Sequence, residues 1–123
     1  MNFTTTKHDR FTLVNIEIEK LGGVISPELK AHFVELNNQG EKNIILKMDS
    51  ARYCDSSGLS AILVGNRLCK NANGTFVICE LTDMVMKLVN ISQLNTVLNI
   101  TPTFQEAQDF VMMDEVSRET QND

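Results

Sequence analysis

Asn43-Ile44-Ile45-Leu46-Lys47-Met48-Asp49-Ser50-Ala51-Arg52-Tyr53-Cys54-Asp55-Ser56-Ser57-Gly58-Leu59-Ser60-Ala61-Ile62-Leu63 reads as three consecutive pieces. Residues 43–49 are a short, nearly continuous apolar run between polar residues, the pattern of a strand covered on both faces of its sheet. Residues 50–55 read as a loop. Beyond it, Leu59, Ile62, Leu63, Asn66 and Arg67 follow helical spacing, and Asn71-Ala72-Asn73-Gly74 stops the helix. A buried strand leading through a loop into a helix is the repeating unit of α/β proteins. Such a loop lies on the rim shared by strand carboxyl ends and helix amino ends, where ligands and partners dock.

The flanking sequence repeats the unit. Thr75-Phe76-Val77-Ile78-Cys79-Glu80 is a second buried strand, and Thr82 is placed to cap a helix with Val85, Leu88 and Val89 inward. A short strand over residues 96–100 precedes Thr103-Phe104-Gln105-Glu106, which fits a capping box opening a last helix with Ala107, Phe110 and Val111. Upstream, residues 3–7 and 11–19 meet at His8-Asp9-Arg10 and predict a hairpin, with a shift of alternation around Asn15. Gly22-Gly23 marks a loop. Ser26-Pro27-Glu28 then combines a capping residue, a proline suited to the first helical position and an acid at the positive helix end. Leu29, Phe33 and Leu36 form the buried stripe of that helix, which Asn37-Asn38-Gln39-Gly40 ends.

The order β-β-α-β-α-β-α-β-α predicts an α/β sandwich: a mixed, mostly parallel sheet with an N-terminal hairpin, right-handed crossovers and about four helices. The expected domain is residues 1–112. Residues 113–123 are acidic, and Val116 is their one apolar member from Asp114 onward, so a flexible C-terminal tail is expected there.

With 123 residues, 42% of them hydrophobic and 22% charged, the chain can bury one core as an ordinary globular domain. A net charge of -5 and a pI near 5.0, with no basic run, argue against a nucleic-acid partner. No apolar stretch approaches the ~20 residues that span a bilayer, and the polar start lacks a signal peptide's hydrophobic segment. No membrane association and a cytoplasmic location are expected. Cys54, Cys69 and Cys79 are too widely spaced for a disulfide framework or a zinc site and read as small apolar thiols. Cys54 stands apart, because the amino end of the following helix favours thiolate there. His8 and His32 are expected on the surface. Phosphate cradles, dinucleotide fingerprints, zinc-protease motifs and nucleophile elbows are all absent from the sequence, so neither a catalytic activity nor a cofactor is expected.

Asp55-Ser56-Ser57-Gly58-Leu59 after a buried strand, with the downstream strand Gly74-x-Phe76-Val77-Ile78-Cys79 and its following helix, resembles the STAS domain of anti-sigma factor antagonists. The resemblance extends over residues 3–112. Ser26-Pro27-Glu28-Leu29 is similar to that family's Ala-Pro-Glu-Leu at the start of the first helix, and Ile44-Ile45-Leu46-Lys47-Met48 to its Val-Val-Leu-Asp-Leu central strand. Leu88 to Leu94 resembles its Leu-x-x-x-Gly-Leu turn. Two departures stand out. Leu21-Gly22-Gly23-Val24-Ile25 lacks the acidic residue that many relatives carry in this loop, and Asn90-Ile91-Ser92-Gln93 lacks the common glycine, leaving Ser92 as the candidate cap of the next turn.

The resemblance implies phosphorylation at Ser56, the serine directly after the aspartate. It further implies a partner serine kinase that doubles as the anti-sigma factor, a PP2C-type phosphatase that reverses the modification, and binding of the anti-sigma factor by the unphosphorylated form. Asp55, Ser57, Gly58, Arg52, Tyr53 and Asn66 are the candidate partner-binding residues. Alternatives stay open at this point: a phosphorylation-independent STAS adaptor, for example in a lipid-transport complex, and a nucleotide-hydrolysing or phosphoryl-transfer domain using Asp49 and Asp55; under any of these readings two copies can associate as a weak homodimer.

Overall fold

A computed structural model describes residues 2–121. Strands β1 (Phe3–Lys7) and β2 (Thr12–Ile16) form the hairpin, followed by β3 (Lys20–Leu21), α1 (Ser26–Asn38), β4 (Ile44–Lys47) and β5 (Tyr53–Cys54). Then come α2 (Ser56–Asn71), β6 (Phe76–Cys79), α3 (Asp83–Ile91), a single 3-10 turn (Leu94–Thr96), β7 (Asn99–Thr101) and α4 (Phe104–Gln121). The main sheet has the order β1-β2-β4-β6-β7, antiparallel only in the hairpin, while β3 and β5 form a separate two-stranded parallel ladder. This is the expected architecture of a hairpin, a mostly parallel sheet and four helices.

The continuous apolar run of β4 follows from its place in the centre of the sheet. Ile44 and Leu46 join Val14, Phe76 and Ile78 under Leu29 and Phe33 of α1, Ile62 of α2 and Val85 and Val89 of α3. Ile45, between them, faces the other way and packs with Phe11, Val77, Cys79 and, from α4, Ala107 and Val111. Both faces of the strand are therefore apolar, as strict alternation would not allow.

Several local expectations are corrected by tertiary contacts. The second strand stops at Ile16, short of Glu19, so that Lys20 and Leu21 can pair with Tyr53 and Cys54. Ser26 does not cap α1: it lies inside the first turn, and its hydroxyl donates to the Gly22 carbonyl at 2.7 Å. Thr82 holds the N-cap position of α3, yet its hydroxyl donates to the Ala51 carbonyl at 2.9 Å, tying α3 to the loop after β4. The last strand is Asn99–Thr101, because residues 94–96 are taken up by the 3-10 turn. Gln93, rather than Ser92, solves the turn where a glycine is common, adopting a left-handed φ of 61°. Thr103 does cap α4, its hydroxyl accepting the Glu106 N–H at 3.1 Å, while the Phe104 N–H donates to the carboxylate of Glu80.

Of the tail expected over residues 113–123, the part up to Gln121 continues α4; Asn122 and Asp123 lie outside the described residues, as does Met1. Arg118 donates to the Asp114 carboxylate at 2.7 Å and to the Thr75 hydroxyl at 2.8 Å. The buried Asn43 amide donates to the Arg10 carbonyl at 2.9 Å and to the Glu115 carboxylate, while its oxygen accepts the Thr75 N–H at 2.9 Å. Charged residues that look like a solvated tail thus satisfy polar groups at the amino ends of β4 and β6. A chain ending at Met113 is expected to lose about 1–3 kcal/mol of stability in urea denaturation, the usual cost of orphaning buried polar groups. An unchanged midpoint would refute this anchoring role.

Candidate functional site

The loop from Ala51 to Asp55 is held in place along its backbone. The N–H groups of Arg52 and Tyr53 both donate to the Glu19 carbonyl, at 2.8 and 3.0 Å, and the Asp55 N–H donates to the Leu21 carbonyl at 3.2 Å. Asp55 then caps α2: its backbone is extended, and its carboxylate accepts the Gly58 N–H at 3.0 Å. Ser56 is therefore the first residue of α2, exposed at the positive end of a helix of 16 residues. Its hydroxyl forms no hydrogen bond among the described residues. Arg52, Tyr53 and Asp55 are exposed alongside it, and Ser57 is half-buried.

The Gly22-Gly23 loop lies against this turn from the side of α1. A Cβ on Gly22 would sit 2.9 Å from the Asp55 carboxylate, and one on Gly23 would sit 3.7 Å from the Ser57 hydroxyl. Between α1 and α2 opens a cleft of about 330 Å³, bordered by Gly23, Ser26 and Lys30 on one side and by Ser56, Ser57 and Ser60 on the other. Val24, at the crest of the loop, is 96% exposed, which is unusual for a valine. Beside β5 lies α3, whose Met84 is also exposed.

The thiol of Cys54 is pushed up to about 11, by burial first and by the Asp55 charge second. Desolvation thus outweighs the helix end, and Cys54 stays a protonated thiol at neutral pH. Burial likewise pushes Cys69 and Cys79 up to about 12. No cluster of three His, Cys, Asp or Glu side chains able to hold a metal ion occurs among the described residues.

The STAS domain family matches residues 2–107 of the chain. The protein belongs to the STAS domain family. Among solved structures, the STAS fold here is similar to a candidate anti-sigma factor antagonist of Thermotoga maritima, at 22% identity and a TM-score of 0.80 over 89% of this chain and 94% of that one. It is also similar to the anti-sigma factor antagonist SpoIIAA in its unphosphorylated form, at 18% identity and a TM-score of 0.70, with 89% and 97% covered. The phosphorylated form of the Bacillus cell fate determinant SpoIIAA matches at 21% identity and a TM-score of 0.69, with 89% and 98% covered.

Within the STAS fold, two of the candidate partner-binding residues are buried and do not share the exposed surface of the Ser56 turn. Asn66 is only 8% exposed and borders a different cleft, beside Lys70, Phe76 and Arg118. Ten residues of helix separate it from Ser56, roughly 15 Å along the axis. Gly58 is buried, and its role is close packing: a Cβ there would meet the Leu21 carbonyl oxygen at 2.3 Å and the Cys54 sulfur at 2.7 Å. Gly58→Ala gains about 1 kcal/mol in helix propensity. Overpacking costs about 1–3 kcal/mol, and the nearest obstacle is backbone that cannot move without opening the β3–β5 ladder, so a net loss of stability is expected in urea denaturation. A stabilised variant would refute that reading. Lys30 was missed by sequence reasoning, because nothing in the residues around it signals that α1 borders the same cleft as Ser56. The signal available was Gly22, where a Cβ would come within 2.9 Å of the Asp55 carboxylate.

Proposed function

We propose that this STAS domain is an anti-sigma factor antagonist, a non-catalytic binding module that engages an anti-sigma factor serine kinase when unphosphorylated and is released by phosphorylation of Ser56. A PP2C-type phosphatase restores the binding form. The observation that carries the proposal is the Ser56 side chain itself: exposed, unpaired among the described residues, and presented by a turn whose own capping is done by Asp55. A residue needed for the cap would lose that contact on modification; Ser56 loses none. The similarity to SpoIIAA in both phosphorylation states supports a fold that accommodates the group.

The physical effect is one of surface chemistry. A phosphate adds about -1.5 to -2 charges at neutral pH and several acceptor oxygens. The helix end tolerates an anion, while a docked partner meets added bulk and charge next to Asp55. Arg52, Tyr53, Asp55 and Ser57 are the residues we assign to the partner surface. The phosphoryl-transfer reading is weaker: Asp49 is paired with Lys47 at 3.7 Å and Asp55 is engaged in capping.

The test is intact-mass analysis with site mapping of the protein isolated from its own cells, wild type against Ser56→Ala, under growth and under stress. Phosphate on Ser56 that vanishes in the variant is the expected result. A chain never phosphorylated in any condition would overturn partner switching in favour of a constitutive STAS adaptor.

A further inference from the structure

The cleft between α1 and α2 has one charged lining residue, Lys30, one turn into α1 and across the opening from Ser56. Lys30 is half-buried and forms no salt bridge among the described residues. The volume, about 330 Å³, corresponds to on the order of ten waters, so a phosphoryl group fits with part of its hydration shell. Its border is polar, with the hydroxyls of Ser57 and Ser60 on the α2 side. We infer that Lys30 is the counter-ion of phosphorylated Ser56, drawing the phosphoryl group into this cleft toward α1. This inference rests on the assignment of Ser56 as the modified residue.

Arg52, Asp55 and Lys20 are the other charged groups near this turn, and none of them lines the cleft. Asp55 directs one carboxylate oxygen to the Gly58 N–H and the other toward Gly22. The Lys20 stem also runs past Gly22, its Cε 3.4 Å from the position a Cβ would take there. Lys20 and Asp55 thus meet at Gly22, outside the cleft lining, and Lys30 is the charged group that borders the cleft together with Ser56. The functional consequence is that phosphorylation alters two elements together, because a group held by Lys30 covers the shoulder formed by Gly23 and Pro27 as well as the start of α2.

The full chain with phosphoserine genetically encoded at position 56 tests this, with the second ionisation of the phosphate followed by phosphorus NMR. That ionisation ordinarily falls at about 6. A neighbouring cation favours the dianion and lowers it, so Lys30→Met is expected to raise the phosphate pKa by about half a unit or more relative to the unsubstituted phosphoprotein. Lys30→Arg keeps the low value, and Lys20→Met leaves it unchanged. Identical titrations of the unsubstituted and Lys30→Met proteins, or a larger shift in Lys20→Met, would overturn the assignment. Because the phosphoserine is encoded, the titration does not depend on any kinase; failure to find phosphate on protein from cells counts against the proposed switch and not against this contact.

Discussion

The form carrying phosphoserine at position 56 is expected to bind an anti-sigma factor kinase about 100-fold or more weakly than the unmodified protein, with its far-UV circular dichroism unchanged. Like-charge contact and desolvation at an interface cost several kcal/mol, and about 2.7 kcal/mol already corresponds to a factor of 100. The fold has no reason to respond. Asp55 supplies the cap, the loop is fixed by backbone bonds to Glu19 and Leu21, and the helix amino end accepts an anion. Titration calorimetry against the kinase, beside the melting curve of each form, separates the two effects. Equal affinities would remove Ser56 from the interface, and loss of helix on phosphorylation would replace surface blocking by unfolding.

Phe33→Ala is expected to cost about 3–5 kcal/mol, the range for deleting a buried phenyl ring, and to lower the melting temperature by roughly 10–20 °C. Phe33 is fully buried, with its ring edge-on to Phe76 at 5.7 Å and 87°. Gly65 of α2 is pressed against both rings: a Cβ there would lie 2.6 Å from Phe76 and 3.0 Å from Phe33. Three elements, α1, α2 and β6, therefore converge on one ring, and none can close the void without moving the others. Because α1 and α2 also form the walls of the Ser56 cleft, the same variant is expected to disorder the site. A loss below about 1 kcal/mol in urea denaturation would mean that the surrounding residues collapse into the cavity.

Residues whose meaning is carried by near neighbours were legible in advance. Ile44, Ile45 and Leu46 announced a strand buried on both faces, and Leu29, Phe33 and Leu36 announced the inward stripe of α1; all six are buried. The cap made by Asp55 is likewise local, a bond that spans only three residues. Gly74 was recognised as a helix stop, yet the structure adds a stronger demand: a Cβ there would lie 1.8 Å from the Lys42 carbonyl oxygen, at the start of β6. Ser26 and Thr82 were misread for the matching reason. Each has the chemistry of a cap, but a carbonyl brought near by folding, from Gly22 or Ala51, takes the hydroxyl.

By itself the sequence determined the order of the five main-sheet strands and the four helices, the α/β class, the STAS resemblance and the position of Ser56 at the start of α2, since periodicity and capping act over a few residues, whereas the two-residue strands β3 and β5 exist only through their mutual pairing. Tertiary structure alone decided that Asn66 is buried away from the site, that Gly58 serves close packing, that residues 114–121 continue a helix anchored on Asn43 and Thr75, and that Lys30 borders the same cleft as Ser56. Each of these depends on groups from distant parts of the chain meeting in space, through backbone contact, desolvation or opposite charge. Composition and spacing carry no record of such meetings until the sheet order is set.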